Sequence, residues 1–224
     1  LWHIMKIYAH YRFSDFILCL GYKGETIKEY FLNYEFMNND FTINLGRREE
    51  FTIHRKNGQE DWRVTLVDTG EETQTGGRIK RIEPYIDGDR FMVTYGDGVA
   101  DIDINALVRH HSAEGKMATL TGVHPHSKYG MVETDEAGRA TRFLEKPRLK
   151  DIVSVGFFVF ERSVFDFIPD SDDCILEREP FERLASEGEF AIYRHEGYWQ
   201  CMDTYRDFLD LNEAWTHEAP WKLW

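Results

Sequence analysis

"RFMVTYGDGVADIDINALVRHHSAEG", residues 90–115, carries the decision about the fold. Its first part, "RFMVTYGDG", is an apolar body ending at a glycine-flanked aspartate, the pattern of a strand. Its second part, "DINALVRHHSAEG", has helical spacing and a stop at Gly115. Strand, loop and helix in that order make a βα unit. The aspartates between them raise a question of chemistry. A calcium loop of EF-hand type needs ligands at positions 1, 3, 5, 7, 9 and 12 and glycine at position 6. Counted from Asp97, position 3 is Val99, position 6 is Ile102 and position 12 is Val108. Counted from Asp101, position 6 is Ala106 and Leu107 follows. Neither register makes the loop. What remains is Asp97 at a strand end between two glycines, and Asp101 or Asp103 at the helix start, where a carboxylate caps exposed N–H groups. Spacing leaves Asp97 open between a ligand-holding role and a turn residue, because Asp-Gly is common in turns.

Outward from this unit, apolar periodicity keeps switching between the strand and helix repeats. "LWHIMKIYAHYR" reads as a helix, "DFILCLGY" as a buried strand, and "GETIKEYFLNY" as a helix with Ile27, Tyr30, Phe31 and Tyr34 on one face. "FTINLG" and "EFTIHR" read as a small excursion of two strands, followed by the strand "WRVTLVDTG". "TGGRIKRIEPYI" is a glycine-led helix, and "MATLTGV" another buried strand. This alternation, as far as about residue 123, indicates a Rossmann-like α/β fold: a doubly wound, mixed but mostly parallel sheet. Beyond it the chain turns β-rich. "YGMVETDEAGRATRFLEKP" reads as a hairpin turning at "DEAG", "SVGFFVF" as a strand, and "EFAIYRHEGYWQCMDT" as strand-rich. "SVFDFI", "EPFERLASEG" and "YRDFLDLNEAWTH" read as helices. No repeat or linker divides the sequence, so residues 1–224 are expected to form one domain with a β-rich elaboration at about 124–203.

Composition narrows the function. A formal net charge of −13 argues against binding a nucleic-acid polymer, whose partners carry basic surfaces. No apolar stretch approaches the length of a membrane span, and the first residues lack signal-peptide order. Cys19, Cys174 and Cys201 are far apart and odd in number, which fits reduced thiols and a cytoplasmic protein. The histidine clusters "HH" and "HPH" lack metal-site spacing.

Three further stretches could carry chemistry. "TGGRIKR" opens a helix with Gly76 and Gly77, and its first turn would offer N–H groups to an anion beside the Arg78 fork. The alternative is a flexible loop before a solvated basic face. In "FLEKPR", Glu145 could accept from sugar hydroxyls and Lys146 could meet a phosphate; the alternative is an exposed ion pair. "WQCMDTYRD" places Asp203 after a strand and before a helix, either as a metal ligand or, with Thr204, as a cap. Two carboxylates at two strand ends would hold a divalent cation and its polyphosphate.

These residues together resemble the sugar-1-phosphate nucleotidylyltransferases, on their cytidylyl branch. The resemblance runs nearly end to end through "LWHIMK", "CLGYKGETIKEYF", "VTLVDTG", "TGGRIKR", "TYGDGVADIDI", "ATLTGV", "FLEKP", "GFFVF", "YWQCMDTYRD" and "APWK". It implies a nucleotide-diphospho-sugar transferase fold. It implies Mg²⁺-dependent in-line transfer from CTP to α-D-glucose 1-phosphate, giving CDP-glucose and pyrophosphate for deoxysugar or lipopolysaccharide synthesis. By matching motif, Asp97 and Asp203 resemble the Mg²⁺ ligands, and Gly76, Gly77, Arg78 and Asp97 the nucleotide contacts. Tyr95, Gly130, Glu145, Lys146 and Gly156 resemble the sugar-phosphate pocket, with Asp97, Arg78 and Lys146 nearest the chemistry. The family also implies a homo-oligomer, a hexamer in the cytidylyl branch. A uridylyl- or thymidylyltransferase and a non-catalytic nucleotide-sugar binder are the rival readings.

Two departures stand out. "SVGFFVF" has Val155 where the branch has a glycine. The family's opening strand, its glycine-rich "GGxGTRL"-like loop and its "PKP" lysine have no counterpart in these 224 residues. Charge stabilisers of this kind are worth about 10³–10⁵ in rate in phosphoryl transfer, so the chain as it stands is expected to turn over poorly.

Overall fold

The computed structural model describes residues 1–47, 50–54 and 60–224, which divide into two compact units. One comprises Leu1–Phe13, Gly88–Val164 and Phe181–Trp224; the other comprises Ser14–Asp87 and Phe165–Pro180. Elements in chain order are α1 (Trp2–His10), β1 (Asp15–Leu20), α2 (Gly24–Leu32), α3 (Tyr34–Asn38), β2 (Phe41–Ile43), β3 (Phe51–Ile53), β4 (Arg63–Asp68), α4 (Thr75–Arg81), β5 (Arg90–Thr94), β6 (Gly98–Ala100), α5 (Ile104–Glu114), β7 (Ala118–Val123), β8 (Met131–Thr134), β9 (Ala140–Leu144), β10 (Val153–Glu161), α6 (Glu179–Ser186), β11 (Phe190–Arg194), β12 (Trp199–Cys201) and α7 (Tyr205–Thr216). The expected strands and helices are present, with "SVFDFI" as a tight 3₁₀ segment. Arg55 of "EFTIHR" lies outside the described residues.

The first unit is built on a four-stranded sheet in the order β11-β7-β10-β5. β11 runs parallel to β7, and β10 runs antiparallel to both β7 and β5. β5, β7 and β11 therefore share a direction, as strand–helix alternation requires, and β10 inserts between β7 and β5 against it. The run "GFFVF" explains why β10 is central. Phe157, Phe158, Val159 and Phe160 are all fully buried, so both faces of the strand are covered. Phe157 stacks on Tyr8 of α1, with centroids 6.0 Å apart. Phe158 and Phe160 lie at 5.5 and 6.4 Å from Phe181 in α6. The Tyr8 hydroxyl bonds Thr94 Oγ1 at the end of β5, tying α1 to that strand.

Helix ends follow local chemistry. Gly115 closes α5 with φ 61° and ψ 33°, a conformation a Cβ would strain, and its N–H donates to His111 O at 3.1 Å. Asp103 starts α5 by accepting from Ala106 N at 2.8 Å. Beneath α5, His111 is buried, with Nδ1 2.8 Å from Thr119 Oγ1 and Nε2 3.0 Å from Glu161 Oε1. The β8–β9 hairpin turns at Asp135, whose carboxylate accepts from Ala137 N and Arg139 N, and its strands are mostly exposed.

In the second unit β1 and β4 pair in parallel, and β2 and β3 pair antiparallel as the small excursion. The buried strand expected at "DFILCLGY" is half-buried, because among the described residues β1 and β4 form only a two-stranded sheet. The helix expected over "GETIKEYFLNY" breaks at Asn33, whose Nδ2 donates to Glu29 O at 2.9 Å; Tyr30 is left exposed. No helix is long and apolar enough to cross a membrane, among the described residues.

Truncating Phe158 removes a ring packed from three sides. Phe158→Ala should lower unfolding free energy by about 3–5 kcal/mol, read from the midpoint of urea unfolding.

Candidate functional site

The site begins with a pairing distant in sequence. β6 and β12 run antiparallel with Trp199 opposite Ala100, Gln200 opposite Val99 and Cys201 opposite Gly98. The ladder continues one step, Met202 N donating to Asp97 O at 2.9 Å. Asp97 and Asp203, far apart in the chain, are thus brought to the same open end, and both are exposed.

Asp101, Asp103 and Asp207, near these two in sequence, are committed elsewhere. Asp103 is the cap of α5. Asp101, expected with Asp103 at the helix start, instead accepts from Tyr198 N at 2.7 Å; the cap position is already filled. Thr204 and Asp207 form a reciprocal capping box on α7, with Asp207 N 3.2 Å from Thr204 Oγ1 and Thr204 N 2.9 Å from Asp207 Oδ2. The cap role proposed for Asp203 or Thr204 therefore falls to Thr204. Hydrogen bonds from Thr204, the hydroxyl first, hold the Asp207 pKa below its ordinary value, with Lys128 adding to the effect. Asp203 Oδ2 accepts from the Cys201 thiol at 2.9 Å. Burial, then Asp203 itself, raises that thiol's pKa to about 11, so it stays a donor at neutral pH.

Among the described residues, no three His, Cys, Asp or Glu side chains cluster as a self-sufficient metal site. A small hard cation that binds through one or two carboxylates and substrate phosphates needs no such cluster. The exposed oxygen pair at this ladder end fits that kind of ion. The Lys128 charge is felt at Asp207, whose pKa it helps to lower, and at Cys201, where it opposes the larger upward effects of burial and Asp203. Nothing in the sequence context of Lys128 singled it out.

A second feature adjoins β5. The register of β10 against β7 shifts between Ser154 and Phe158, and Gly156 in this bulge has φ 77°. A Cβ there would sit 2.8 Å from the Tyr95 ring. Tyr95 N donates to Gly156 O at 3.1 Å, and the ring meets Phe158 edge-on at 5.4 Å. The Tyr95 hydroxyl is buried without a hydrogen-bond partner among the described residues, and so is Trp199 Nε1, which lies against Gly98. Buried polar atoms without partners are uncommon and mark places where a ligand can supply the missing bond. Sequence reading found Tyr95 and missed Trp199, because an indole in a strand reads as core.

Gly130 and Glu145 are brought together at the hairpin base. A Cβ on Gly130 would lie 2.5 Å from Phe143 Cζ and 3.1 Å from Glu145 Oε2. Lys146 has φ 45°, uncommon for a side-chain-bearing residue, and its carbonyl lies 3.2 Å from His126 Nδ1. This turn swings Lys146 off the regular line of β9.

In the second unit, the N–H groups expected to be open at "TGGRIKR" are occupied. Gly76 N and Gly77 N both donate to Cys174 O, at 2.9 and 3.1 Å. The glycines permit close packing: a Cβ on Gly76 would meet Cys174 Sγ at 2.5 Å, and one on Gly77 would meet Ser171 O at 2.5 Å. Arg78 is likewise engaged, with Nη1 donating to Leu20 O at 3.2 Å and Thr69 Oγ1 at 2.9 Å, and Nη2 to Glu71 O at 3.1 Å. It ties the carboxyl ends of β1 and β4 with three of its N–H donors.

Comparisons with known proteins agree with this architecture. Residues 21–218 match the nucleotidyl transferase family. The glucose-1-phosphate cytidylyltransferases of Salmonella typhi and Salmonella typhimurium are each 46% identical over 227 residues, covering 100% of this chain and 87% of theirs. In three dimensions the chain is similar to HddC from Yersinia pseudotuberculosis, with TM-score 0.68 at 18% identity, over 96% of this chain and 84% of that one.

Gly156→Ala should displace Tyr95 and destabilise the protein by more than about 1 kcal/mol in urea unfolding. Gly96→Ala should cost much less, since a Cβ there meets nothing within 4 Å. Acid should probe the capping box. The Asp207 pKa is lower folded than unfolded, so its contribution is complete above the ordinary value of 3.8 and is lost as pH falls through the lowered folded value. Asp207→Ala should lower the melting temperature at neutral pH and flatten its fall below about pH 4.

Proposed function

The chain belongs to the nucleotidyl transferase family, and on that premise we propose that it transfers a cytidylyl group from CTP to α-D-glucose 1-phosphate. The carrying observation is identity of 46% along the whole chain to glucose-1-phosphate cytidylyltransferase. The ladder end that presents Asp97 and Asp203 supports it. A phosphate oxygen of glucose 1-phosphate bonds to the α-phosphorus of CTP. The bond from that phosphorus to the bridging oxygen breaks, and pyrophosphate leaves with the electron pair. The attacking phosphate is already anionic, so the reaction needs positioning and charge neutralisation rather than a protein base.

Asp97 and Asp203 would hold Mg²⁺, which when bound neutralises phosphate charge. Lys146 and Lys128 bring positive charge to the phosphates. Tyr95 OH and Glu145 would orient sugar hydroxyls, with Gly156 admitting the Tyr95 ring and Gly130 the Phe143 ring and the Glu145 carboxylate. Gly76, Gly77 and Arg78 would contribute to the nucleotide side: the glycines by letting the helix start pack on residues 171–176, which sets the position of Arg78, and Arg78 through the guanidinium hydrogens not used in its ties to Leu20 O, Thr69 Oγ1 and Glu71 O. Residues 1–224 would work as one nucleotidylyltransferase domain, with the β-rich part at about 124–203 serving the sugar. The three free thiols suit a reducing cytoplasm. The enzyme would act as a homo-oligomer of six chains.

Pyrophosphate release with glucose 1-phosphate and each of CTP, UTP, dTTP and ATP tests this. CTP should give the highest kcat/KM; a higher value with UTP or dTTP would overturn the base assignment. Asp97→Asn and Asp203→Asn should each reduce turnover more than about 100-fold, the scale of losing one preorganised electrostatic contact.

A further inference from the structure

We propose that Asp101 is the positioning residue of the metal site: it clasps the turn before β12 and so sets the register that puts Asp203 beside Asp97. The inference rests on the reading of Asp97 and Asp203 as cation ligands. Three-residue strands form a weak ladder by themselves, and no tight hairpin turn joins β6 to β12, since residues 101–198 intervene. A slip of one residue would send every β12 side chain to the other face and carry Asp203 away from Asp97. Something beyond the ladder must prevent the slip.

Asp101 stands one step past β6, at the end opposite the candidate ligands. Its N–H donates to Tyr198 O at 3.2 Å, and its Oδ1 accepts from Tyr198 N at 2.7 Å. His195 Nε2 lies 3.0 Å from the same Oδ1 and 3.1 Å from Tyr198 O. Both neighbours are acceptors, so Nε2 carries a hydrogen and shares it between them. His195 is buried, and its backbone N–H donates to Gly122 O at 2.9 Å, anchoring the turn to β7 of the main sheet. A Cβ on Gly197 would run into the Asp101 carboxylate. The Tyr198 ring stacks on buried Trp221 at 5.7 Å, and Trp221 Nε1 donates to His3 Nδ1 at 2.9 Å. One carboxylate thus fixes the residue before β12 against both the sheet and the C-terminal aromatic cluster.

Titration of the protein with Mn²⁺ alone, followed by water-proton relaxation, tests the role without turnover. Binding should be lost in Asp97→Asn. Asp101→Ala should weaken it by about 10- to 100-fold, as loss of outer-shell partners does. Asp101→Asn keeps an oxygen for Tyr198 N and the His195 N–H, and should restore most of the binding. Asp103→Ala loses a helix cap and should melt earlier with Mn²⁺ binding unchanged. Binding that survives Asp97→Asn would overturn the metal reading and this inference with it. If binding is lost in Asp97→Asn but unmoved in Asp101→Ala, or weakened equally by Asp103→Ala, the positioning role alone is overturned. Should Asp101→Ala fail to fold, His195→Ala is measured instead, and wild-type Mn²⁺ binding there refutes the clasp.

Discussion

The antiparallel pairing of Gly98–Ala100 with Trp199–Cys201 is the constraint on which the site depends. It joins two strand ends separated by most of the first unit. Loop-closure entropy grows only slowly with the length enclosed, so the distance in sequence is less costly than it looks. What the ladder lacks is contact of its own. That comes from its two ends, the Asp101–His195–Tyr198 bonds at one and the Met202–Asp97 bond at the other.

Around this ladder the structure sorts acidic residues by what they are already doing. Asp103 and Asp207 complete helix starts, Asp101 clasps a turn, and Asp97 and Asp203 face solvent. A carboxylate that accepts two N–H bonds is oriented by them and has little capacity left for a cation. The candidate ligands are recognised as much by the commitments of their neighbours as by their own positions. The Cys201 thiol, kept protonated beside Asp203, orients one carboxylate oxygen through a weak donor rather than a competing charge.

The glycines carry a parallel lesson. "TGGR" reads as a phosphate-binding helix start, yet its amides bond the Cys174 carbonyl, and its glycines exist to let the 171–176 segment approach. Gly156, matched by motif to the sugar-phosphate pocket, is the residue whose backbone conformation admits the Tyr95 ring. In both places the partner comes from a distant segment, which local spacing cannot reveal.

The order of strands and helices was legible from the sequence, because apolar periodicity records which faces are buried, and so were the stop at Gly115 and the turn at Asp135. So was the family, through motifs spread along the chain. The insertion of β10 between β7 and β5 was not legible, since a run such as "GFFVF" announces burial on both faces but not its neighbours. Nor could the sequence divide the work among Asp97, Asp101, Asp103 and Asp203. Cap, clasp and cation ligand all ask for a carboxylate near a strand or helix end. Only the hydrogen bonds made across the fold decide which oxygens remain available.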